Sequence, residues 1–288
     1  MTDPAPLAPG LWLVSTPIGA ARDITLRALD VLAAAEVLAA EDTRSLRHLM
    51  QIHGLSPGGR PLLAYHDHNG AQMRPRLLAE LAAGRSVAYA SEAGTPLVAD
   101  PGFQLVRAAV AAGHVVHAVP GASAVLAALA VAGLPTDRFA FLGFAPSQAG
   151  ARATFLKETA AIPATCVFYE SPRRVARLLA EMAPIFGPER PAAVCRELTK
   201  RHEEVLRGPL GELAEALAQR ELKGEVVVLT GRPLAQVAGA ADLDAALDAA
   251  LGEESLRAAV DRVAAELGLP RRQVYQAALA RQKGSGDE

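Results

Sequence analysis

Short apolar runs and amphipathic stretches alternate along the chain. "LWLVSTP" (11–17) is a continuous apolar run that stops at a polar turn, the pattern of a buried strand. In "DITLRALDVLAAAE" (23–36) Leu26, Leu29 and Leu32 recur on one helical face, with Asp23 or Thr25 as the cap. A strand at "VLAAE" (37–41) follows, then a short helix at "SLRHLMQIHG" (45–54) closed by Gly54. "PLLAYH" (61–66) is strand-like, and "AQMRPRLLAELAAG" (71–84) is a helix with Pro75 in its first turn or marking its start. "SVAYAS" (86–91) is the next strand. Pro101 opens a helix that Gly113 stops, and "VVHAVPG" (115–121) is again strand-like.

The pattern continues in the second half. Strands are expected at "DRFAFLGF" (137–144), "TCVFYE" (165–170), "PAAVCREL" (191–198) and "EVVVLTG" (225–231). Helices are expected over 122–132, 150–162, 171–187 and 210–220; in the third, Ser171 caps, Pro172 takes the first helical position and Gly187 closes. Such alternation predicts α/β layering rather than an all-α or all-β protein. The expected organisation is a disordered N-terminus (1–10), an N-terminal α/β domain (11–119), a C-terminal α/β domain (120–231), a linker (232–243) and a helical tail (244–288). Within the tail, residues 256–282 have the layout of a helix-turn-helix pair around "GLPRR", and "KGSGDE" is expected to fray. No solenoid-type repeat is evident.

Composition narrows the picture. The chain has 288 residues, 51% of them apolar, which suits a sizeable core and excludes a largely disordered chain. A net charge of −2 is no bulk polycation, so contact with nucleic acid must come from local basic patches. Cys166 and Cys195 lie in apolar, strand-like stretches and read as buried free thiols of a reducing compartment. "MTDPAPLAPG" has no basic and apolar regions of a signal peptide, and the longest apolar run, 122–134, is too short to span a bilayer. A cytoplasmic protein with no membrane partner is expected.

Candidate chemistry gathers where strands end. "SEAGTPLVADPG" (91–102) follows a strand and opens a helix, a position where open α/β sheets bind ligands; Asp100 serves there either as a helix cap or as a functional group. "STPIGAARDIT" (15–25) has the same design but lacks the G-x-G-x-x-G spacing of dinucleotide sites, and no phosphate-binding P-loop is present. "VPGASA" (119–124) is a third glycine-containing turn, and three such turns suggest a shared cleft. "EDTR" (41–44) suits either polar recognition or capping. "HDH" (66–68) has no third ligand at useful spacing, so no metal is expected. "YESPRR" (169–174) and "CRELTKRHEE" (195–204) place acids and bases at two further strand ends, with Arg173 and Arg174 in a first helical turn that disfavours cations unless an anion is bound. No serine-hydrolase motif is found.

Taken in order, "TPIGAARDITLRAL", "AEDTR", "HDHN", "SEAGTPLVADPG", "VPGASA", "GLPTDRFAFLGF", "FYESPRR", "RELTKRHEE" and "KGEVVVL" resemble the ribosomal RNA small subunit methyltransferase I family of the tetrapyrrole methylase superfamily. The resemblance covers roughly residues 11–231, and the tail is similar to the small C-terminal helical domain of that family. It implies an α/β, two-domain tetrapyrrole methylase-like (class III methyltransferase) fold plus that helical domain. It also implies S-adenosylmethionine as cofactor, a homodimer, and 2′-O-methylation of a cytidine in the decoding region of 16S rRNA, in the small subunit or its precursor.

Carried onto this chain, the resemblance implies a cofactor site of Pro17, Ile18 and Gly19, with Thr16 in the same loop, then Ser91, Glu92, Ala93, Gly94 and Thr95, then Pro120, Gly121 and Ala122, and Tyr169. A ribose hydroxyl needs its proton removed or its pKa lowered during transfer; Glu170, Glu197 and Lys200 are the candidates, with Asp100 behind them. Arg173, Arg174, Arg196, Arg201, Arg271 and Arg272 are expected to face RNA phosphates. Three positions depart from the common family form: Glu92 stands for an aspartate, Ala20 for an asparagine, and "PGASA" for a related proline–glycine turn. The alternatives are a small-molecule precorrin-type methylase and a non-catalytic RNA-binding assembly factor.

Overall fold

A computed structural model describes residues 6–234, 240–267 and 269–284. The first half is a five-stranded parallel sheet of β1 (Gly10–Val14), β2 (Val37–Ala40), β3 (Leu62–Ala64), β4 (Ser86–Ala90) and β5 (Val116–Val119), in the order β3-β2-β4-β1-β5. Helices α1 (Leu26–Ala34), α2 (Thr43–Ile52), α3 (Gly70–Ala82) and α4 (Phe103–Ala111) make the crossovers that parallel pairing demands. Both faces are covered. Leu38, Ala88 and Ala90 belong to one core with Leu32 of α1. Val37, Val87 and Tyr89 belong to another with Leu77 of α3 and Leu105 of α4. Burial on both faces is why these strands read as continuous apolar runs instead of alternating ones.

Register then fixes the site. Val14 is level with Ala90 and with Val119, and Ala40 with both Ala90 and Ala64. The segments that leave these five strands therefore emerge side by side at one edge, where open parallel sheets hold ligands.

The second half is a mixed sheet of β6 (Phe139–Phe144), β7 (Thr165–Glu170), β8 (Pro191–Arg196), β9 (Glu204–Pro209) and β10 (Val226–Thr230), ordered β6-β7-β10-β8-β9. Only β6 and β7 pair in parallel. Helices α6 (Ala149–Ala160), α7 (Val175–Phe186) and α8 (Leu210–Ala218) contribute Leu156, Leu178 and Leu213 to the core on one face. Helix α5 (Ala124–Ala132) packs Val125 and Leu129 on the other, together with Ile18 from the loop after β1. Ile18 thus joins the first half to the core of the second.

Several expectations need correction. Thr25, not Asp23, caps α1, accepting from the Ala28 N–H at 3.1 Å. Leu26 is 81% exposed; the buried stripe is Ala28, Val31 and Leu32. Helix α7 begins at Val175, because the Ser171 carbonyl accepts from the amides of Arg174 and Val175 in a tight turn, so Arg173 and Arg174 precede the helix. Strand β9 went unread because an edge strand with polar neighbours carries little apolar signal. Within the span 1–10, Leu7 packs on the core, the Trp12 indole N–H donates to the Ala8 carbonyl at 3.1 Å, and β1 starts at Gly10.

Residues 233–288 form a separate unit of three helices, α9 (Ala240–Glu253), α10 (Leu256–Leu267) and α11 (Arg271–Gly284). Leu247, Val260, Val263, Val274 and Ala278 make its core. Helix α9 starts inside the span expected to be linker. Residues 1–5, 235–239 and the terminal 285–288, where disorder, linker and fraying were expected, lie outside the described residues. Both cysteines are buried and free, and burial pushes the Cys195 thiol up to about 11. No described helix is long and apolar enough to cross a membrane.

Candidate active site

The loops after β1 and β4 are pinned to each other. Thr16 and Gly94 exchange both backbone hydrogen bonds, at 2.9 and 3.0 Å. Gly94 sits at φ +81°, a conformation favourable only to glycine, and a Cβ there would lie 3.3 Å from Ile18 Cγ2. The Ser91 hydroxyl donates to the Gly94 carbonyl at 2.7 Å, and the Thr95 hydroxyl donates to the Ala122 carbonyl at 3.0 Å. The main chain of Gly94 is thus spent on Thr16.

This arrangement bounds a cavity of about 710 Å³, within the range of small-molecule sites. Pro17, Ile18 and Gly19 form one wall, and Glu92, Ala93, Gly94 and Thr95 a second. Tyr169, Glu170 and Lys200 arrive from the second half, with Val98, Asp100, Phe144 and Val227 among the remaining lining. Ser91 stands behind the wall as a brace. Pro120, Gly121 and Ala122 also do not line it: Gly121 packs against Ser15, and the segment reaches the cavity only at Ser123 and Ala124.

The catalytic candidates differ sharply in their surroundings. Glu170 is buried, and its Oε1 accepts from the Ser171 amide and the Arg174 guanidinium, both at 2.7 Å. Lys200 Nζ donates to Glu197 at 2.9 Å and to Glu225 at 2.8 Å. Burial disfavours its charge, but the two carboxylates outweigh burial and raise its pKa, so the amine holds its proton and serves as a cation, not a base. Glu197 lies outside the cavity lining. The Lys200 ammonium and the Glu225 amide hold its carboxyl below the usual range, which suits a residue that positions Lys200. The turn carrying both has Glu197 at φ +50° and Thr199 at φ +64°, strain typical of functional loops. The Thr199 hydroxyl accepts from the Ala20 amide at 3.1 Å, so the position that departs from the family form still works through its main chain.

Asp100 stands apart. Sequence offered it as a helix cap or a functional group; the cap reading fails, because α4 begins at a Gly102 N-cap with no side-chain capping bond. Gly102 sits at φ +122° with Tyr89 pressed against it, so a Cβ would fall 2.8 Å from the ring. Asp100 Oδ2 is buried without a hydrogen-bond partner. Burial, then the nearby Glu41 and Glu92 carboxylates, push its pKa up to about 7. Glu41 is raised by burial and by Glu92. In "EDTR" the two readings divide between neighbours: Asp42 caps α2 through the Arg44 amide at 2.7 Å, while Glu41 lines the cavity. Sequence reasoning reached Glu41 only as one residue of "EDTR" and missed Phe144 at the end of β6.

The arginines also separate. Arg174 pairs with Glu170, Arg196 with Glu204 at 3.1 Å, and Arg271 with Asp261. Those three carry intramolecular ion pairs. Arg173, Arg201 and Arg272 are exposed and make no ion pair among the described residues.

The family described as Tetrapyrrole (Corrin/Porphyrin) Methylases matches residues 10–214, and the RsmI C-terminal HTH domain matches residues 237–282. Among solved structures, cobalt precorrin-4 methyltransferase superposes with a TM-score of 0.58 at 19% identity, covering 77% of this chain and 94% of its own. Uroporphyrin-III C-methyl transferase from Thermus thermophilus, complexed with S-adenosyl homocysteine, gives 0.54 at 23%, covering 77% and 97%. The two sheets are those of the tetrapyrrole methylase fold. Ribosomal RNA small subunit methyltransferase I of Mesorhizobium japonicum is 45% identical over 98% of this chain and 95% of its own. The Pseudomonas aeruginosa protein of the same name is 42% identical over 94% and 97%. The chain belongs to the ribosomal RNA small subunit methyltransferase I family.

Proposed function

We propose that the chain transfers a methyl group from S-adenosylmethionine to the ribose 2′-hydroxyl of a cytidine in the decoding region of 16S rRNA, in the small subunit or its precursor. The observation that carries this reading is the cavity of about 710 Å³ at the strand ends, on a chain related over nearly its whole length to methyltransferases named for small-subunit rRNA.

The residues present fit the cofactor. Glu41, Glu92 and Asp100 crowd negative charge into one wall; burial, and after it their mutual repulsion, raises Glu41 and Asp100. A cationic sulfonium and ammonium placed there relieves that repulsion. S-adenosylmethionine, when bound, supplies an activated methyl group together with its own leaving group. The protein's task is alignment and exclusion of water. Ile18, Val98, Phe144 and Val227 give the cavity an apolar side. Tyr169 packs edge-on to Phe141 and Phe144, and burial pushes its phenol up to about 12, so it stays protonated and able to donate. Lys200, held between Glu197 and Glu225, contributes a fixed positive charge at the rim. Arg173 and Arg201, with Arg272 of the helical unit, serve the phosphate backbone.

The relatives at 42–45% identity favour RNA over a tetrapyrrole as substrate, since the solved tetrapyrrole enzymes share the fold at 19–23%. The test offers tritiated S-adenosylmethionine and the purified protein three acceptors: 30S subunits from cells lacking this enzyme, 50S subunits, and uroporphyrinogen III. Label on 30S subunits alone is the expected result; label on the tetrapyrrole alone overturns the proposal.

A further inference from the structure

A second cavity, of about 380 Å³, opens between the turn after β3 and the start of α4. Its walls include Tyr65, His66, Arg74, Asp100 and Phe103. Asp100 alone, among the described residues, lines both this cavity and the larger one. We propose that the second cavity receives the target nucleotide, unstacked from its RNA neighbours, with its ribose 2′-hydroxyl against Asp100. The inference rests on the functional reading above and adds to it the acceptor's position and the group that takes its proton.

The first argument is geometric. Methyl transfer requires the acceptor oxygen about 3–3.5 Å from the methyl carbon in the reactive complex. If the larger cavity holds the donor, the acceptor hydroxyl must sit where that cavity meets the space holding the acceptor. Asp100 is the described residue that lines both cavities.

The second argument is the chemistry of the walls. Phe103, a residue 59% exposed, opens α4, and the Arg107 guanidinium lies 5.9 Å from its ring centroid. His66 and His68 stand edge to face at 6.0 Å. Exposed aromatic rings beside a cavity are how proteins hold unstacked RNA bases. Two buried polar atoms of residues that line this cavity, His66 Nδ1 and Asp100 Oδ2, have no hydrogen-bond partner among the described residues, although buried polar groups are normally paired. A nucleoside offers hydroxyls and a base edge to both. Arg74 is half-buried in the same wall and has no ion-pair partner among the described residues, which suits a phosphate. The "HDHN" turn is held open for this use by Asn69, whose side chain accepts from the His66 amide at 2.9 Å and donates to the Ala64 carbonyl at 3.0 Å.

The step balances without another reagent. As the 2′-oxygen bonds to the methyl carbon, the carbon–sulfur bond breaks and its electron pair stays on sulfur. The hydroxyl proton passes to the Asp100 carboxylate.

The test has three readouts. Ultraviolet crosslinking of the wild-type protein to 30S subunits, with mapping of the modified peptides, is expected to place rRNA on the segments containing His66 or Phe103. Phe103→Ala, at an exposed site, is expected to raise KM for 30S subunits about tenfold, the scale of one lost base stack, with calorimetric S-adenosylmethionine affinity unchanged. Asp100→Asn, nearly isosteric, is expected to lower single-turnover methylation at least about 100-fold while leaving crosslinking to 30S subunits intact. If the wild-type labels 30S subunits but crosslinks fall only elsewhere and both variants behave as wild-type, the inference is overturned while the functional reading stands. If the wild-type transfers no label to 30S subunits, the functional reading falls, and this inference with it.

Discussion

Thr16 and Gly94, 78 positions apart in the chain, close a two-bond ladder of 2.9 and 3.0 Å between the loops that leave neighbouring strands β1 and β4. The relationship follows from register: Val14 and Ala90 end their strands level, so the next residues must meet. With Thr16 and Gly94 tied, Ile18 is set into the core of the second sheet and Glu92 is turned to the cavity. Loops often vary in conformation; here two of them are fixed before any ligand arrives.

Gly94→Ala tests that scaffold. It places a Cβ at φ +81° and 3.3 Å from Ile18 Cγ2. The expected loss is about 1–2 kcal/mol of stability from the left-handed conformation, seen as a lower midpoint in urea. Because the cavity wall moves with the ladder, calorimetry is expected to show S-adenosylmethionine affinity reduced at least about threefold.

Asp100 carries a pH-dependent strain. Its folded pKa of about 7 lies above the ordinary 3.8, so the folded state binds the proton more tightly than the unfolded chain. Stability from this group is greatest below about pH 4 and is lost as pH rises through about 7. Facing it are Glu41 and Glu92 from the neighbouring strand ends, the phenols of Tyr89 and Tyr169, and His66 and Arg74 across the second cavity. Asp100→Asn is therefore expected to be more stable than wild-type by about 1–2 kcal/mol at pH 8, after allowance for solvent, and equal to it near pH 4. Thermal melts across that range check this. A gain in stability with a loss of turnover is the signature of a group kept for function.

The arginines predicted from sequence divide into two experimental classes. Arg174 holds Glu170, whose side chain is 1% exposed, so Arg174→Ala strands a buried carboxylate; a loss of about 1–3 kcal/mol is expected, discounted because the arginine itself is partly exposed. Arg173→Ala and Arg201→Ala are expected to leave melting unchanged. Each is expected instead to weaken 30S binding and reduce the slope of log K against log salt by about one.

Lys200 and Glu197 provide a narrower test of a positioning role. Their pair at 2.9 Å is partly exposed, so a double-mutant cycle in urea is expected to give a coupling of only about 0.5–1 kcal/mol. Lys200→Arg keeps a cation but not a compact point charge beside Gly19. It is expected to alter KM for S-adenosylmethionine without shifting the pH profile of turnover, since the lysine is not the group that titrates.

Much of this architecture was legible in the chain because buried parallel strands announce themselves as apolar runs and their helices end at glycines. What escaped was half-exposed or non-local. Strand β9 lies at an edge with only Val205 and Leu206 as its apolar signal. Leu26 fits the helical period yet faces solvent, because period alone does not say where a helix touches the sheet. The loops around the cavity were found as loops, but their division of labour was not. Whether Gly94 offers its main chain to a ligand or to Thr16, and whether Glu170 faces Arg174 or a substrate, depends on strand order, which no local pattern carries. Asp100 was legible as a helix cap or a reserve catalytic group; that its Oδ2 is buried without a hydrogen-bond partner is a property of the fold.

The most direct measurement is alkaline hydrolysis mapping of 16S rRNA from 30S subunits treated with the protein and S-adenosylmethionine. A ribose methylated at the 2′-oxygen cannot cleave its own backbone. The account predicts one gap in the ladder, at a cytidine of the decoding region, absent when the protein is omitted. Methyl label on the RNA with an unbroken ladder, or a gap at a site outside that region, would contradict it.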